Sequence, residues 1–283
     1  MRFIVLVLSF ICASSFGRAG FLDFLLRKDL DVIVDTDMSP EGALMRTPSK
    51  ENPVYYVAVS MGYRDLGGVV GGDKVPDKKA MYRIIGHALA KQGYLQATAA
   101  HPASQVIFIM WGSLYVQYIP NISNPELGDM QTNRRQMLSF MGGQKLGLLS
   151  PNPEYGDGDN LQGMFNKSDA AEAINEASRD DLYMAALASY DYQAFTQKKK
   201  KLLWTTRISC PSRGLVMADT LPNMITVATP LIGRETKSPA YIDASDRFKG
   251  EVQVGTPTVK EFMDPGRKTD STKETRKPSE KTK

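Results

Sequence analysis

Apolar periodicity is concentrated between Pro53 and Gly233, and its period switches repeatedly between the two of a strand and the 3.6 of a helix. Residues 54–61 are rich in β-formers and predict a strand. Pro76 at a first helical position and Asp77 in a first turn predict a helix in which Met81, Ile85, Ala88 and Leu89 share a face, with Gly93 as its stop. The unbroken apolar run 106–111 predicts a strand covered on both faces. A second helix is predicted over residues 129–146, on the spacing of Met130, Arg134, Met137, Leu138 and Met141, with Gly142 and Gly143 weakening its later part. Residues 150–163 are crowded with Pro, Gly, Asn and Asp and predict a loop. Ser168 predicts the cap of a short helix carrying Ala170, Ala171, Ile174 and Ala177.

Residues 182–190 and 202–208 predict two antiparallel strands. In the second, Leu202, Trp204, Thr206 and Ile208 alternate with Leu203, Thr205 and Arg207, so one face is better buried. A last helix is expected over residues 215–232, entered or kinked at Pro222 and stopped by Gly233. The fold class this implies is α/β (α+β), a single two-layer sandwich with a mixed sheet of about four strands and three to four helices. Residues 53–233 form the domain. Residues 20–52 are expected to be an extended segment, and residues 234–283 a largely disordered basic tail.

The N-terminus adds an address. Arg2, the apolar residues 3–16 and the small residues Gly17, Ala19 and Gly20 follow the order of a secretory signal over residues 1–19. The apolar part is shorter than the roughly 20 residues a helix needs to cross a bilayer, so no transmembrane segment is expected after signal removal. Cys12 follows Ser9, Phe10 and Ile11 and so lacks the small neighbour expected at a lipid-attachment cysteine. Signal removal would leave Cys210 alone, without an internal disulfide partner.

Charge changes the picture less than the net +4 suggests. Arg2, Arg18 and the surplus of Lys and Arg beyond Pro265 account for more than all of it, so the body between is slightly acidic. Nucleic-acid binding needs a basic folded face and is therefore not expected.

The order of features resembles a known group. A helix ending in Ala88 to Tyr94 (Ala-Leu-Ala-Lys-Gln-Gly-Tyr) runs into the strand 106–111. Later a strand with Tyr190 and Asp191 leads to Leu203-Trp204 and a helix containing Leu221-Pro222. Over residues 54–232 this order resembles small bacterial envelope proteins of unknown function, often lipoproteins. The resemblance implies an α/β sandwich with a mixed sheet and brings no catalytic residue with it.

Candidate chemistry is sparse. Asp35-Thr36-Asp37 after Val32, Ile33 and Val34 resembles the opening of nucleoside hydrolases, in which aspartates at a strand end hold calcium, but the places of the next pair hold Glu41 and Gly42. The simpler expectation is a short edge strand. Gly67 to Lys74 lies between a strand and a helix as a phosphate loop would, yet Asp73 precedes the lysine and Val75 replaces the needed hydroxyl. Asp157, Asp159 and Asn160 lack the closing glutamate of an EF-hand. His87 and His101 have no His or Cys at ligand spacing, and no serine sits in a Gly-x-Ser-x-Gly elbow. Cys210 has no neighbouring His. The sequons at Asn121 and Asn166 matter only on a glycosylating route. Trp111 and Trp204 are expected as core anchors.

Lys198, Lys199, Lys200 and Lys201 form the densest charge run of the body and fall between two predicted strands, where they would project from a hairpin tip toward an anionic surface or shield the apolar run that follows. The sequence thus leads to an exported protein of the periplasm, outer envelope or medium. Its expected role is binding or structural, without catalytic activity, cofactor or metal, with an envelope component or anionic surface as partner. The alternative is a calcium-dependent hydrolase using Asp35 and Asp37.

Overall fold

The computed structural model describes residues 30–66, 74–122, 126, 128–149 and 168–244. Its strands are β1 (Asp31–Met38), β2 (Val54–Leu66), β3 (Tyr94–Gln96), β4 (Gln105–Leu114), β5 (Tyr118–Ile119), β6 (Met130–Gln131), β7 (Leu182–Asp191), β8 (Leu202–Pro211) and β9 (Ala240–Asp243). The helices are α1 (Pro40–Ala43), α2 (Lys78–Lys91), α3 (Arg134–Phe140), α4 (Asp169–Ala177), α5 (Tyr192–Thr196) and α6 (Met217–Ala228).

Seven strands make one mixed sheet in the order β3-β2-β4-β7-β8-β1-β9, and β5 pairs with β6 apart from it. β2 runs parallel to β3 and β4, and every later neighbour is antiparallel. The parallel pair follows from the β2-α2 connection, since parallel neighbours need a long crossover, whereas β7 and β8 are joined closely enough to pair as a hairpin.

The α/β class and the mixed sheet agree with expectation, but the counts of about four strands and three to four helices do not. Among the described residues there are nine strands and six helices. β3, β5, β6 and β9 are too short to display a period of two, and α1 and α5 are single-turn helices inside connections. The layering differs too. Val32 and Val34 of β1 join a core with α2 and α6, while Ile33 joins a second core with α3 and α4. Because alternate residues of a strand point to opposite faces, helices cover both sides of the sheet. β1 itself was expected as an edge strand in an extended segment. It lies instead between β8 and β9, and the uninterrupted run Val32-Ile33-Val34 is the mark of burial on both faces.

Local chemistry sets the helix limits. Asp77 caps α2 by accepting the Ala80 N–H at 2.8 Å. Gly93 ends the turn after it with φ +85°, where a Cβ would lie 2.5 Å from Ser49 N. The helix expected over 129–146 shrinks to α3. Asn133 donates to the Tyr115 carbonyl at 2.7 Å and accepts from Gln117 N at 2.9 Å, which holds the preceding residues extended as β6. Gly142, at φ +79°, turns the chain after it. Pro222 lies in the second turn of α6, where the Ala218 carbonyl loses its usual donor. Both tryptophans are core anchors, each 1% exposed.

Candidate functional site

The second face of the sheet carries the features from which a site can be built. At one end Ile33, Leu114, Leu182 and Met184 are roofed by Met137, Leu138, Ala171 and Ile174 of α3 and α4. One step along, Asp35 of β1 stands opposite Arg207 of β8, and Asp37 stands opposite Thr205. Arg207 donates from Nη2 to both Asp35 and Asp37. Lys145, brought in by the turn at Gly142, donates to Asp35 Oδ1 at 2.7 Å and lies 2.8 Å from Asp37 Oδ1. A Cβ on Gly142 would fall 2.5 Å from Asp35 Cγ, so only glycine lets this turn approach so closely. Lys145 also donates to the carbonyls of Thr36 and Thr236, each at 2.9 Å.

Asp35 is fully buried, and a buried carboxylate is tolerated only when its lone pairs are filled. Thr236 Oγ1 supplies one more donor at 3.2 Å. Burial pulls the Lys145 ammonium down, but hydrogen bonds to Asp35 and Asp37 and their charges outweigh it, leaving its pKa above the ordinary lysine value. The two aspartates therefore converge on cations rather than on further acids. Among the described residues no group of three His, Cys, Asp or Glu is placed to hold a metal ion, and the calcium-dependent hydrolase reading of Asp35 and Asp37 finds no support. The network ties the 142–146 turn and the Glu235-Thr236 segment to β1 and β8.

Beyond these charges the same face opens. Met61, Phe108, Met110, Ala186, Ala188, Tyr190 and Phe195 line a groove of about 370 Å³, with Lys200 on its rim. Phe108 packs edge-on against Tyr190 at 5.4 Å and against Phe195 of α5 at 5.6 Å. Asp191 caps α5 by accepting the Ala194 N–H at 2.7 Å, which fixes Phe195 above the strand ends. Lys198, Lys199, Lys200 and Lys201 are all exposed in the link from α5 to β8, as a hairpin connection would present them. Lys198 itself adopts φ +59°, closing the turn. The groove was not foreseen: it needs side chains from β2, β4, β7 and α5 brought side by side.

The other candidates separate cleanly. Cys210 is buried, and burial, with the charge of Asp31, pushes its thiol up to about 12, far from a reactive thiolate. His87 is exposed on α2, and His101 stacks on Tyr55 with ring centroids 4.6 Å apart. The Gly67–Asp73 part of the glycine-rich stretch, the Asp157-Asp159-Asn160 cluster, Asn166, residues 1–29 and the chain from 245 onward lie outside the described residues. The segment 234–244, expected as the start of a tail, holds Thr236 in the charge network and β9 against β1. Among the described residues no helix is long and apolar enough to cross a membrane.

No protein-family model matches the chain, and no curated protein matches it by sequence. Among solved structures it is similar to a PDZ domain protein from Parabacteroides distasonis, with TM-score 0.33 and 12% identity over 78% of this chain and 41% of that one. It is also similar to PelC from Paraburkholderia phytofirmans, a dodecamer, with TM-score 0.29 and 10% identity over 71% and 96%. A DUF4136 family protein from Bacteroides thetaiotaomicron gives TM-score 0.29 and 12% identity over 72% and 97%. The chain thus spans less than half the length of the first of these. At such distances no property of those proteins passes to this one.

Proposed function

We propose that the protein is an exported, non-catalytic binding protein of the cell envelope that seats on anionic lipid through the β7–β8 connection. The observation that carries this reading is the adjacency of four exposed lysines to an open groove lined by Phe108, Tyr190 and Phe195. An anionic amphiphile offers a headgroup for the amines and a chain for the groove, and neither feature alone selects for both. The signal-like residues 1–19 supply the compartment in which such a surface would be met.

Vesicles of phosphatidylglycerol test it. The wild-type chain is expected to sediment with them at low salt, and binding should fade as the screening length falls from about 30 Å at 0.01 M to about 8 Å at 0.15 M. Replacing Lys198, Lys199, Lys200 and Lys201 by glutamine should abolish most of that binding while leaving the fold intact. A wild type indifferent to anionic vesicles at low salt, or a quadruple variant that binds as well, would contradict the proposal.

A further inference from the structure

A cavity on the opposite face of the sheet takes no part in the lysine-rimmed groove. It measures about 680 Å³ and lies between α1, the segment from Met45 to Pro48 and the Gly233–Glu235 turn. That volume suits a small organic ligand, for which pockets of about 300–1,000 Å³ are usual. Tyr94 and Trp204 line it, with ring centroids 5.4 Å apart and planes tilted by 56°. Both side chains are almost fully buried, which holds them in place as part of the cavity wall.

The polar groups around those rings are mostly donors. Gln105 is 2% exposed, and its Oε1 already accepts the Ser189 hydroxyl at 2.7 Å, which leaves its amide nitrogen to donate. Arg234 is held in place by donating from Nε to Gln92 Oε1 at 3.2 Å and from Nη2 to the Pro48 carbonyl at 2.9 Å, and it has no carboxylate partner among the described residues. Arg46 lines the same cavity and pairs with no carboxylate among the described residues. The one acid in the lining, Glu235, is already engaged: its Oε2 accepts the Met38 N–H at 2.6 Å, and its Oε1 lies 3.9 Å from Lys145. Two guanidinium groups, a buried amide and an aromatic wall are thus grouped around one cavity whose own carboxylate is occupied.

We propose that this cavity binds a small organic anion, an apolar or aromatic body carrying one carboxylate or phosphate group, with Arg46 and Arg234 on the anion and Tyr94 and Trp204 against the body. Guanidinium suits both anions because its planar fork matches their paired oxygens. Arg46 acts as the recruitable charge and Arg234 as the fixed one, since only Arg234 is tied to its surroundings.

The test uses the purified full chain with three probes of similar body: 4-phenylbutyrate, phenyl phosphate and the uncharged 4-phenylbutanol. Binding is followed by the amide and indole NMR signals of Tyr94, Gln105 and Trp204. At least one anion should perturb these signals, and the alcohol should bind about tenfold more weakly or worse, the effect of losing a charge-assisted pair. Preference between the carboxylate and the phosphate identifies the anion class. Arg46→Gln, an exposed change that should leave the melting temperature in place, should weaken the anion about tenfold and leave the alcohol unaffected, and Arg46→Lys should recover part of the loss. Equal binding of alcohol and anions, an Arg46→Gln protein with unaltered affinity, or no perturbation at Trp204 by any probe would overturn the assignment. Because the lysine run is untouched, failure here is distinguishable from failure of vesicle binding.

Discussion

On the face covered by α2 and α6, the inward side chains of β1, β4, β7 and β8 are mostly apolar and buried polar residues pair with one another, Thr36 with Thr206 and Ser189 with Gln105, whereas on the opposite face the same strands change character partway along. Ile33, Leu114 and Met184 are roofed by α3 and α4; Asp35 and Arg207 follow; then come Ala188, Phe108 and Tyr190, which border an open groove. One sheet thus carries both strand surface roofed by helices and strand surface that borders an open groove. The buried ion network marks the border between them. Burial of an ion pair is weak evidence of stabilisation, but removing one partner strands the other charge, so such a border is costly to disturb once built.

That contrast can be broken first where it should be strongest. Leu89 is fully buried on the inner face of α2, and Leu89→Ala should cost roughly 2–5 kcal/mol in denaturant unfolding, through lost transfer energy and the cavity left behind. At the border, Arg207→Met leaves the fully buried Asp35 with Lys145 as its remaining cation and should cost about 2 kcal/mol, less than a wholly buried pair because Arg207 is itself partly exposed. A smaller loss there than for a surface change would mean that the network is not what closes this end of the sheet.

The same border responds to alkali with a defined sign. The Lys145 pKa is raised in the folded protein, so its pairing with Asp35 and Asp37 contributes fully below the ordinary value of 10.5 and is lost as pH rises through the higher folded value. The stability gap between wild type and Lys145→Met should hold steady from pH 8 to about 10 and narrow above that. A gap that widens with pH would reverse the assignment. Smallest of all should be Phe195→Ala in the groove: the residue is 39% exposed, and its loss should cost under about 1 kcal/mol while weakening vesicle binding.

The sequence made some of this visible and hid the rest for identifiable reasons. The helix after Asp77 and the β7–β8 pairing were legible because each carries its full period and its own cap or turn. β9 was not, since Ala240–Asp243 offers only Tyr241 and Ile242 as apolar signal. The run Val32-Ile33-Val34 contained the sign of a doubly covered strand, but its position soon after the signal-like residues 1–19 favoured an edge. Lys198 to Lys201 announced themselves as a charge run, whereas the groove beside them depends on Phe108 and Phe195, far apart in the chain and joined only by register. The partners of Asp35 were equally hidden: Lys145 reaches it only because Gly142 adopts a positive φ.

The central claim, that the open part of the second face is the side presented to anionic lipid, is tested most directly by an environment-sensitive fluorophore on Phe195→Cys, in a chain beginning at Gly20 so that the buried Cys210 is its only other thiol. On phosphatidylglycerol vesicles at low salt the emission should shift to the blue and become inaccessible to an aqueous quencher, while the same label on His87→Cys of α2 stays solvent-exposed. Equal quenching at the two positions, or protection at position 87 alone, would contradict the account.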